Sequence, residues 1–399
     1  MSEERPEVSV VMPCLNEERT LLQCIQAAQR AFEDSGIAGE VVVADNGSTD
    51  GSVAIAEGAG ARVVRVTARG YGNALRQGLA ESRGAHLVFL DADMSYDFAD
   101  VPRFVEELRK GADLVIGTRL RGTIEPHAMP FLHRFLGTPV LTWLANLFFG
   151  CRISDINCGM RGLTRETFER LGLHCGGMEF ASEMMIRAAL LRVRIAEIPI
   201  HFRQDLRDRP PHLRSFRDGW RHLRLMLVLC PMWLFVLPGL VMALGGLGTI
   251  LAILLGVSPR VGFLTSMVVQ AVTTMGVQIL LLGLAAHAVV ATTLPERRDV
   301  LFKVRRVLTL ETGMVLGALS AAGGGGILAY AAWRVFAFMH AEGYVYGQFD
   351  MVSTRLALLG TTLLIVGIQI FFTSLFLGLF ASEALAGRGT VPQGSPRER

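Results

Sequence analysis

The chain has 399 residues, long for a single domain, and a formal net charge of +3 that by itself says little about partners. A mean hydropathy of +0.40, with 51% hydrophobic residues, is high for a soluble enzyme and argues against a chain that is soluble throughout. Cys14, Cys24, Cys151, Cys158, Cys175 and Cys230 form no C-x-x-C pair, so neither a zinc site nor a disulfide framework is indicated and free thiols are expected. No nucleic-acid partner is expected.

The opening residues MSEERPE are polar and acidic, with no apolar stretch behind a basic start, so no signal peptide is read here and the domain that follows is expected on the cytosolic side. Segment 8-VSVVMP-13 is a β-branched run ended by proline, and 20-TLLQCIQAAQRAF-32 has helical spacing. A buried strand is expected over 40-EVVVAD-45, then a turn, 46-NGSTDGS-52, in which Ser48 or Thr49 caps the next helix. Strand 62-RVVRV-66 leads to 69-RGYGNALRQGLAES-82, a glycine turn opening a helix, and 86-HLVFLD-91 and 113-DLVIGTR-119 complete the series. Strands alternating with helices imply a mostly parallel sheet covered on both faces, with ligands bound outside the carboxyl ends of the strands. Pro13, Asp45, Asp91 and Arg119 stand at those ends.

Asp91 and Asp93, in 88-VFLDADMSYDF-98, allow two readings. Aspartate is common in turns after strands; two carboxylates at a strand end also suit a divalent cation bound against a phosphorylated substrate. A dinucleotide-binding G-x-G-x-x-G is absent after the first strand, where PCLNEE stands, and no phosphate-binding G-x-x-x-x-G-K-[ST] occurs. A dehydrogenase or an NTPase is thereby disfavoured.

Farther on, Arg214, Arg217, Arg221 and Arg224 fall at helical spacing beside a stripe of Phe216, Trp220, Leu223 and Leu227. That pattern predicts an amphipathic helix lying in a membrane interface. Residues 232–258 carry no charge, nor do 261–293 apart from His287, 312–333 or 356–382; each run exceeds the roughly 20 residues that span a bilayer. Four membrane helices are predicted, and 323-GGGG-326 permits close helix packing. The basic segment 296-ERRDVLFKVRR-306 and the terminal Arg388, Arg397 and Arg399 place both on the cytosolic face, with 334–355 opposite. The expected divisions are a catalytic domain at 1–205, an interfacial linker at 206–231, a membrane domain at 232–385 and a tail at 386–399.

The motifs 8-VSVVMPCLNEE-18, 41-VVVADNGSTDG-51, 70-GYGNALRQG-78, 91-DAD-93, 117-GTR-119, 155-DINCGMRG-162 and 197-EIPIHF-202 together resemble, in order, those of inverting GT-A glycosyltransferases of family 2. The resemblance is specifically to polyprenyl-phosphate glycosyltransferases such as dolichyl-phosphate mannose or glucose synthases, and covers residues 8–205. Asn46 departs from the family's usual second aspartate, and 207-RDRPPHLR-214 stands where relatives often carry a Gly-x-Ser-Lys turn. The resemblance implies a GT-A α/β domain that transfers a hexose from a UDP- or GDP-sugar to a polyprenyl or dolichyl phosphate with Mg²⁺ or Mn²⁺. It implies Asp93 as metal ligand with Ser95 beside it, Asp91 at the donor's ribose or sugar, and Pro13, Leu15, Glu17 and Asp45 framing base and ribose. It also puts Arg119, His133, Arg134 and Arg209 at the acceptor phosphate, with Glu183 possible in the site.

The chemistry agrees, because departing pyrophosphate needs its charge neutralised and a cation held by one or two carboxylates does this. A phosphomonoester acceptor, whose second pKa is about 6, needs cations to position it rather than a base to activate it. Asp155, Asn157 and Arg161 are read either as a structural network beneath the acceptor site or as part of it, and Glu179 shares a helical face with Glu183. Competing readings are a processive polysaccharide synthase, disfavoured because 219-GWRHLRLM-226 lacks Q-x-x-R-W, and a non-catalytic lipid-sugar translocator.

Overall fold

The computed structural model describes residues 5–206, 215–257, 263–293, 310–342 and 351–386. Arg209, the 296–306 segment and the 387–399 tail, on which expectations above rest, lie outside the described residues. The chain divides into two compact units, Met1–Leu227 and Val228–Arg399.

The first unit is built on a seven-stranded sheet, β1 (Val8–Cys14), β2 (Gly39–Asp45), β3 (Arg62–Arg65), β4 (His86–Phe89), β5 (Leu114–Ile124), β6 (Arg161–Thr164) and β7 (Ile195–Phe202), in the order β3-β2-β1-β4-β6-β5-β7. All pairings are parallel except those of β6, which runs antiparallel between β4 and β5. The helices of this unit are α1 (Leu21–Ser35), α2 (Ser52–Gly58), α3 (Tyr71–Glu81), α4 (Val101–Arg109), α5 (Thr138–Phe149), α6 (Arg165–Leu171), α7 (Phe180–Leu190) and α8 (Ser215–Val228).

Alternation in β1 explains the layering. Val8, Val10 and Met12 enter one core with Leu21, Ile25 and Phe32 of α1 and Phe104 and Val105 of α4. Val11 turns to the other face, where Gly78 lets α3 approach so closely that an added Cβ would stand 2.8 Å from Val11. Phe89 meets Phe180 of α7 edge-on on that same side. Strands covered on both faces read as unbroken apolar runs, which is why β1, β2 and β4 are plain in the sequence.

One strand and one helix cap differ from the sequence-based expectation. The β6 strand is four residues long and carries Arg161, 1% exposed, whose guanidinium donates to the carbonyls of Cys158, Ile156 and Ala181. A buried arginine satisfied by backbone oxygens has no sequence signature. The helix after Gly51 also begins without a side-chain cap. The hydroxyl expected to cap it, Ser48, instead accepts the Asn16 N–H at 2.9 Å, and Thr49 donates its N–H to Asn16 Oδ1.

Among the described residues of the second unit four helices are long and apolar enough to cross a membrane. They are α9 (Leu237–Leu254, entered by a wide turn at Met232–Val236), α10 (Phe263–Thr293), α11 (Leu310–Glu342) and α12 (Met351–Ala386). Glycine sets the pairing. A Cβ on Gly276 would meet Ala243 N at 2.4 Å, and one on Gly367 would meet Ala321 N at the same distance, so α9 packs backbone to backbone on α10 and α11 on α12. Gln369 donates to Gln278 across α12 and α10 at 3.3 Å. The protein is a multi-pass membrane protein.

Candidate active site

The chain reverses direction across the sheet between β1 and β4, and in an open α/β sheet the crevice beyond such a point takes the ligand. Three loops converge there. The loop after β1 is fastened to the loop after β2: Glu17 N donates to Ser52 Oγ, Glu18 N to Asp50, and Gly51 N to Glu18. Asp45 ends β2 and folds its carboxylate onto its own turn, accepting from Ser48 N at 3.0 Å and Gly47 N at 3.3 Å. Gly47 has φ +90°, a conformation that favours glycine. Thr20 Oγ1 donates to Ala92 O at 2.7 Å, tying the first loop to the aspartate pair beyond β4. Pro13, Leu15, Glu17, Asp45, Asp91, Asp93 and Ser95 are thus gathered at one edge of the sheet.

Asp93 is 5% exposed and Ser95 4%. Asp93 Oδ1 accepts from both the N–H and the hydroxyl of Ser95, a turn made possible by Met94 at φ 64°. Asp91 Oδ1 accepts from the Tyr71 hydroxyl at 3.0 Å. On its other side a Cβ at Gly159 would fall 3.0 Å from Asp91 Oδ2 and 2.8 Å from the Tyr96 hydroxyl, so glycine alone fits that corner. Tyr96 accepts the Gly159 N–H. Burial keeps both tyrosines well above the ordinary phenol pKa, and Asp91 adds to it at Tyr71. Both are neutral phenols throughout the physiological range.

Asn46, the departure from the family pattern, is fully engaged. Its Nδ2 donates to Ala68 O at 2.9 Å and its Oδ1 takes the Gly70 N–H at 2.7 Å. An aspartate there could not donate to that carbonyl.

Arg119 stands within β5, which runs on to Ile124, and not at the strand end where the sequence put it; its side chain is already committed. Its Nε and a terminal nitrogen make a two-point ion pair with Asp155 at 2.8 and 2.9 Å, and its guanidinium lies 5.2 Å from the centre of the Phe202 ring. Asp155 has no exposure, and it also accepts from Arg119 N and Asn157 N. Burial opposes the arginine's charge, yet the Asp155 carboxylate outweighs it and holds the pKa above its ordinary value. Of the network read from the motif, Asp155 therefore serves Arg119, while Arg161 serves the backbone.

His133 and Arg134 stand on a wide turn, His133–Gly137, that runs into α5. Burial, with the nearby charge of Arg119, lowers the His133 pKa, which makes the neutral imidazole the resting form at pH 7. Around them Phe131, Leu132, Phe135, Leu136, Val140 and Trp143 are exposed, Phe131 at 73% and Trp143 at 60%. The sequence reading passed over this apolar face, since α5 alone looks like any core helix. Glu183 is buried in α7 and accepts from His174 N, Cys175 N and the Arg187 side chain, which makes it a clasp for the 174–176 loop.

The α8 helix docks by its polar side. Asp218 and His222 are buried, with His222 Nδ1 2.7 Å from Ser182 Oγ and burial lowering its pKa to about 4, while Phe216 and Trp220 are exposed.

Residues 9–172 match the family described as Glycosyl transferase family 2, and residues 283–381 match the Glycosyltransferase family 2 C-terminal transmembrane region. The low-salt glycan biosynthesis hexosyltransferase Agl6 of Haloferax volcanii is 36% identical over 388 residues, covering 94% of this chain and 90% of that one. This chain belongs to glycosyltransferase family 2. The family 2 enzyme is also 31% identical over 204 residues to a dolichyl-phosphate hexose transferase of the same organism, across 50% of this chain and 83% of the relative. A glucosyl-3-phosphoglycerate synthase from Mycobacterium tuberculosis, solved with Mn²⁺, UDP-glucose and phosphoglyceric acid, is 24% identical over 56% of this chain and 80% of that one, with a TM-score of 0.45. At that score the likeness bears on neither substrate nor metal. The family 2 assignment makes the protein a glycosyltransferase.

Proposed function

We propose that this family 2 enzyme transfers a hexose from a UDP- or GDP-sugar to a polyprenyl phosphate such as dolichyl phosphate, with inversion. The observation that carries the lipid acceptor is the exposed apolar face from Phe131 to Trp143, which surrounds His133 and Arg134 in a chain with four membrane-crossing helices. An apolar face bearing a cationic arginine and a neutral histidine, in a protein tethered to a bilayer, suits an acceptor whose phosphate sits at headgroup depth and whose tail is hydrocarbon. The outward Phe216 and Trp220 of α8 support the same depth.

The donor's base and ribose fit the crevice framed by Pro13, Leu15, Glu17 and Asp45, with Asp91 at the ribose or sugar. Among the described residues no group of three or more His, Cys, Asp or Glu is gathered for a metal. Two carboxylates, Asp91 and Asp93, at one strand end are what a hard cation such as Mg²⁺ or Mn²⁺ uses when phosphate oxygens and water complete its shell. When bound, the cation would neutralise the leaving pyrophosphate. Asp93, with Ser95, would hold it. The acceptor phosphate arrives ionised, so the protein's remaining task is to position it, which Arg119, His133, Arg134 and Arg209 are proposed to do; Glu183 acts at one remove, through the loop it clasps.

The test compares a polyprenyl phosphate with the matching polyprenol from pH 5 to 8. Transfer to the phosphate should fall below about pH 6, where the acceptor becomes a monoanion, and the alcohol should be inert. An alcohol glycosylated as fast as the phosphate would sink the lipid-phosphate assignment and require a catalytic base. Aspartate at Phe135 and Trp143 should lower transfer to the long-chain lipid and spare a short, water-soluble prenyl phosphate; equal loss on both acceptors would refute a membrane-facing role for that surface.

The catalytic domain and both termini are proposed to be cytosolic, on the basic character of 296–306 and an even number of spans. A cysteine placed in 296–306 should resist an impermeant thiol reagent applied to intact cells and react after lysis. Labelling of intact cells would reverse the orientation.

A further inference from the structure

The G-Y-G turn that opens α3 is clamped from two sides, and its single large side chain ends on a carboxylate of the site. Gly70 has φ +136°, its N–H is held by Asn46 Oδ1, and a Cβ there would stand 2.2 Å from Gly176 O. Gly72 is equally confined, since its Cβ would meet Cys175 O at 2.3 Å. Asn73 N donates to Gly176 O at 3.2 Å. The loop pressing on all three residues is the one whose N–H groups at His174 and Cys175 are held by buried Glu183. Tyr71 is therefore fixed at its backbone by Asn46 on one flank and by the Glu183-held loop on the other, with its hydroxyl 3.0 Å from Asp91 Oδ1.

We propose that Tyr71 is a positioning residue for hexosyl transfer, fixing the orientation of Asp91 before the donor arrives, with Asn46 and Glu183 as the supports that hold Tyr71 in place. A carboxylate at the end of a strand rotates about two bonds, and one phenolic donor on Oδ1, with the Gly159 and Tyr96 corner behind Oδ2, removes most of that freedom. Pre-orienting a group that contacts substrate lowers the ordering cost on binding. The role explains both the need for Gly on each side of Tyr71 and the use of Asn at position 46, which must donate to one backbone group and accept from another.

This inference rests on the reading of Asp91 as a donor contact, and the experiment separates the two. Tyr71→Phe, Asp91→Asn and the double variant are compared by the dissociation constant of the nucleotide-sugar donor, measured calorimetrically so that inactive variants still report, and by the KM for donor and for lipid phosphate. Tyr71→Phe is expected to weaken donor binding about tenfold, the scale of a hydrogen bond to a charged group, with an unchanged acceptor KM and melting temperature. In the double variant it should add less than about twofold to the Asp91→Asn effect, since the two act as one unit. Full donor affinity in Tyr71→Phe, with Asp91→Asn impaired, overturns the positioning role alone, and so do losses that multiply independently. Full affinity in Asp91→Asn overturns the reading of Asp91 itself, and the role of Tyr71 with it. A second variant, Asn46→Asp, should reproduce the donor defect in weaker form; a lowered melting temperature with unchanged donor binding would show that the turn is scaffolding only.

Discussion

Asp93→Asn is expected to lower hexosyl transfer by about 10³-fold while leaving the protein folded and membrane-bound. Asparagine is the informative substitution because Asp93 is buried and its Oδ1 already takes two donors from Ser95. The amide oxygen can keep both, so the charge is lost while the turn keeps its anchor. Alanine would strand a buried N–H and a buried hydroxyl, at about 1–3 kcal/mol for each unsatisfied group, and mix a folding defect with a chemical one. If the charge at Asp93 serves a divalent cation, exhaustive chelation should bring the wild-type enzyme down to the level of the variant, and Mn²⁺ or Mg²⁺ should restore the wild type alone. Turnover that survives chelation would end the metal role and leave Asp93 as the anchor of its own turn.

The parts of this architecture that were legible in the sequence are those written in short-range pattern. The β1, β2 and β4 strands are apolar runs because both of their faces are covered, and each of the four membrane helices holds a long uncharged run because nothing in hydrocarbon solvates a charge. Asp45, Asp91 and Asp93 could be placed at one edge from topology alone, since parallel strands carry their carboxyl ends to the same side. What escaped notice depends on pairs far apart in the chain. The Tyr71 to Asp91 bond spans 20 residues and the Arg119 to Asp155 pair spans 36, and neither member of either pair announces its partner. Asn46 stands in the sequence only as a departure from the family's second aspartate, whereas its amide makes a contact that a carboxylate cannot. The apolar face of α5 was missed for a different reason. A stripe of Phe, Leu and Trp reads alike whether protein or lipid covers it, and only exposure in the folded domain tells the two apart.

Arg119→Ala is expected to cost about 3–5 kcal/mol of folding stability, because it leaves the Asp155 carboxylate buried without its counter-charge. For a unit of this size that lowers the melting temperature by about 10 °C. The loss of activity such a variant would show therefore carries no information about the acceptor. Arg119→Met combined with Asp155→Asn removes both charges, and the single asparagine oxygen remains for one of the two backbone donors, the N–H of residue 119 on Oδ2 or that of Asn157 on Oδ1. Exchanging a buried ion pair for neutral groups of similar volume is often neutral in stability, so the double variant should melt close to the wild type. If Arg119 also positions the acceptor phosphate, that folded double variant should show a KM for polyprenyl phosphate raised about tenfold or more, with the donor KM unchanged. A double variant that melts as low as Arg119→Ala would mean that the ion pair is not what the single substitution breaks. One that is stable and keeps the wild-type acceptor KM would make the Arg119 and Asp155 pair a brace between β5 and the 155–157 turn, and would leave His133 and Arg134, on the exposed apolar turn beside it, as the groups that meet the phosphate.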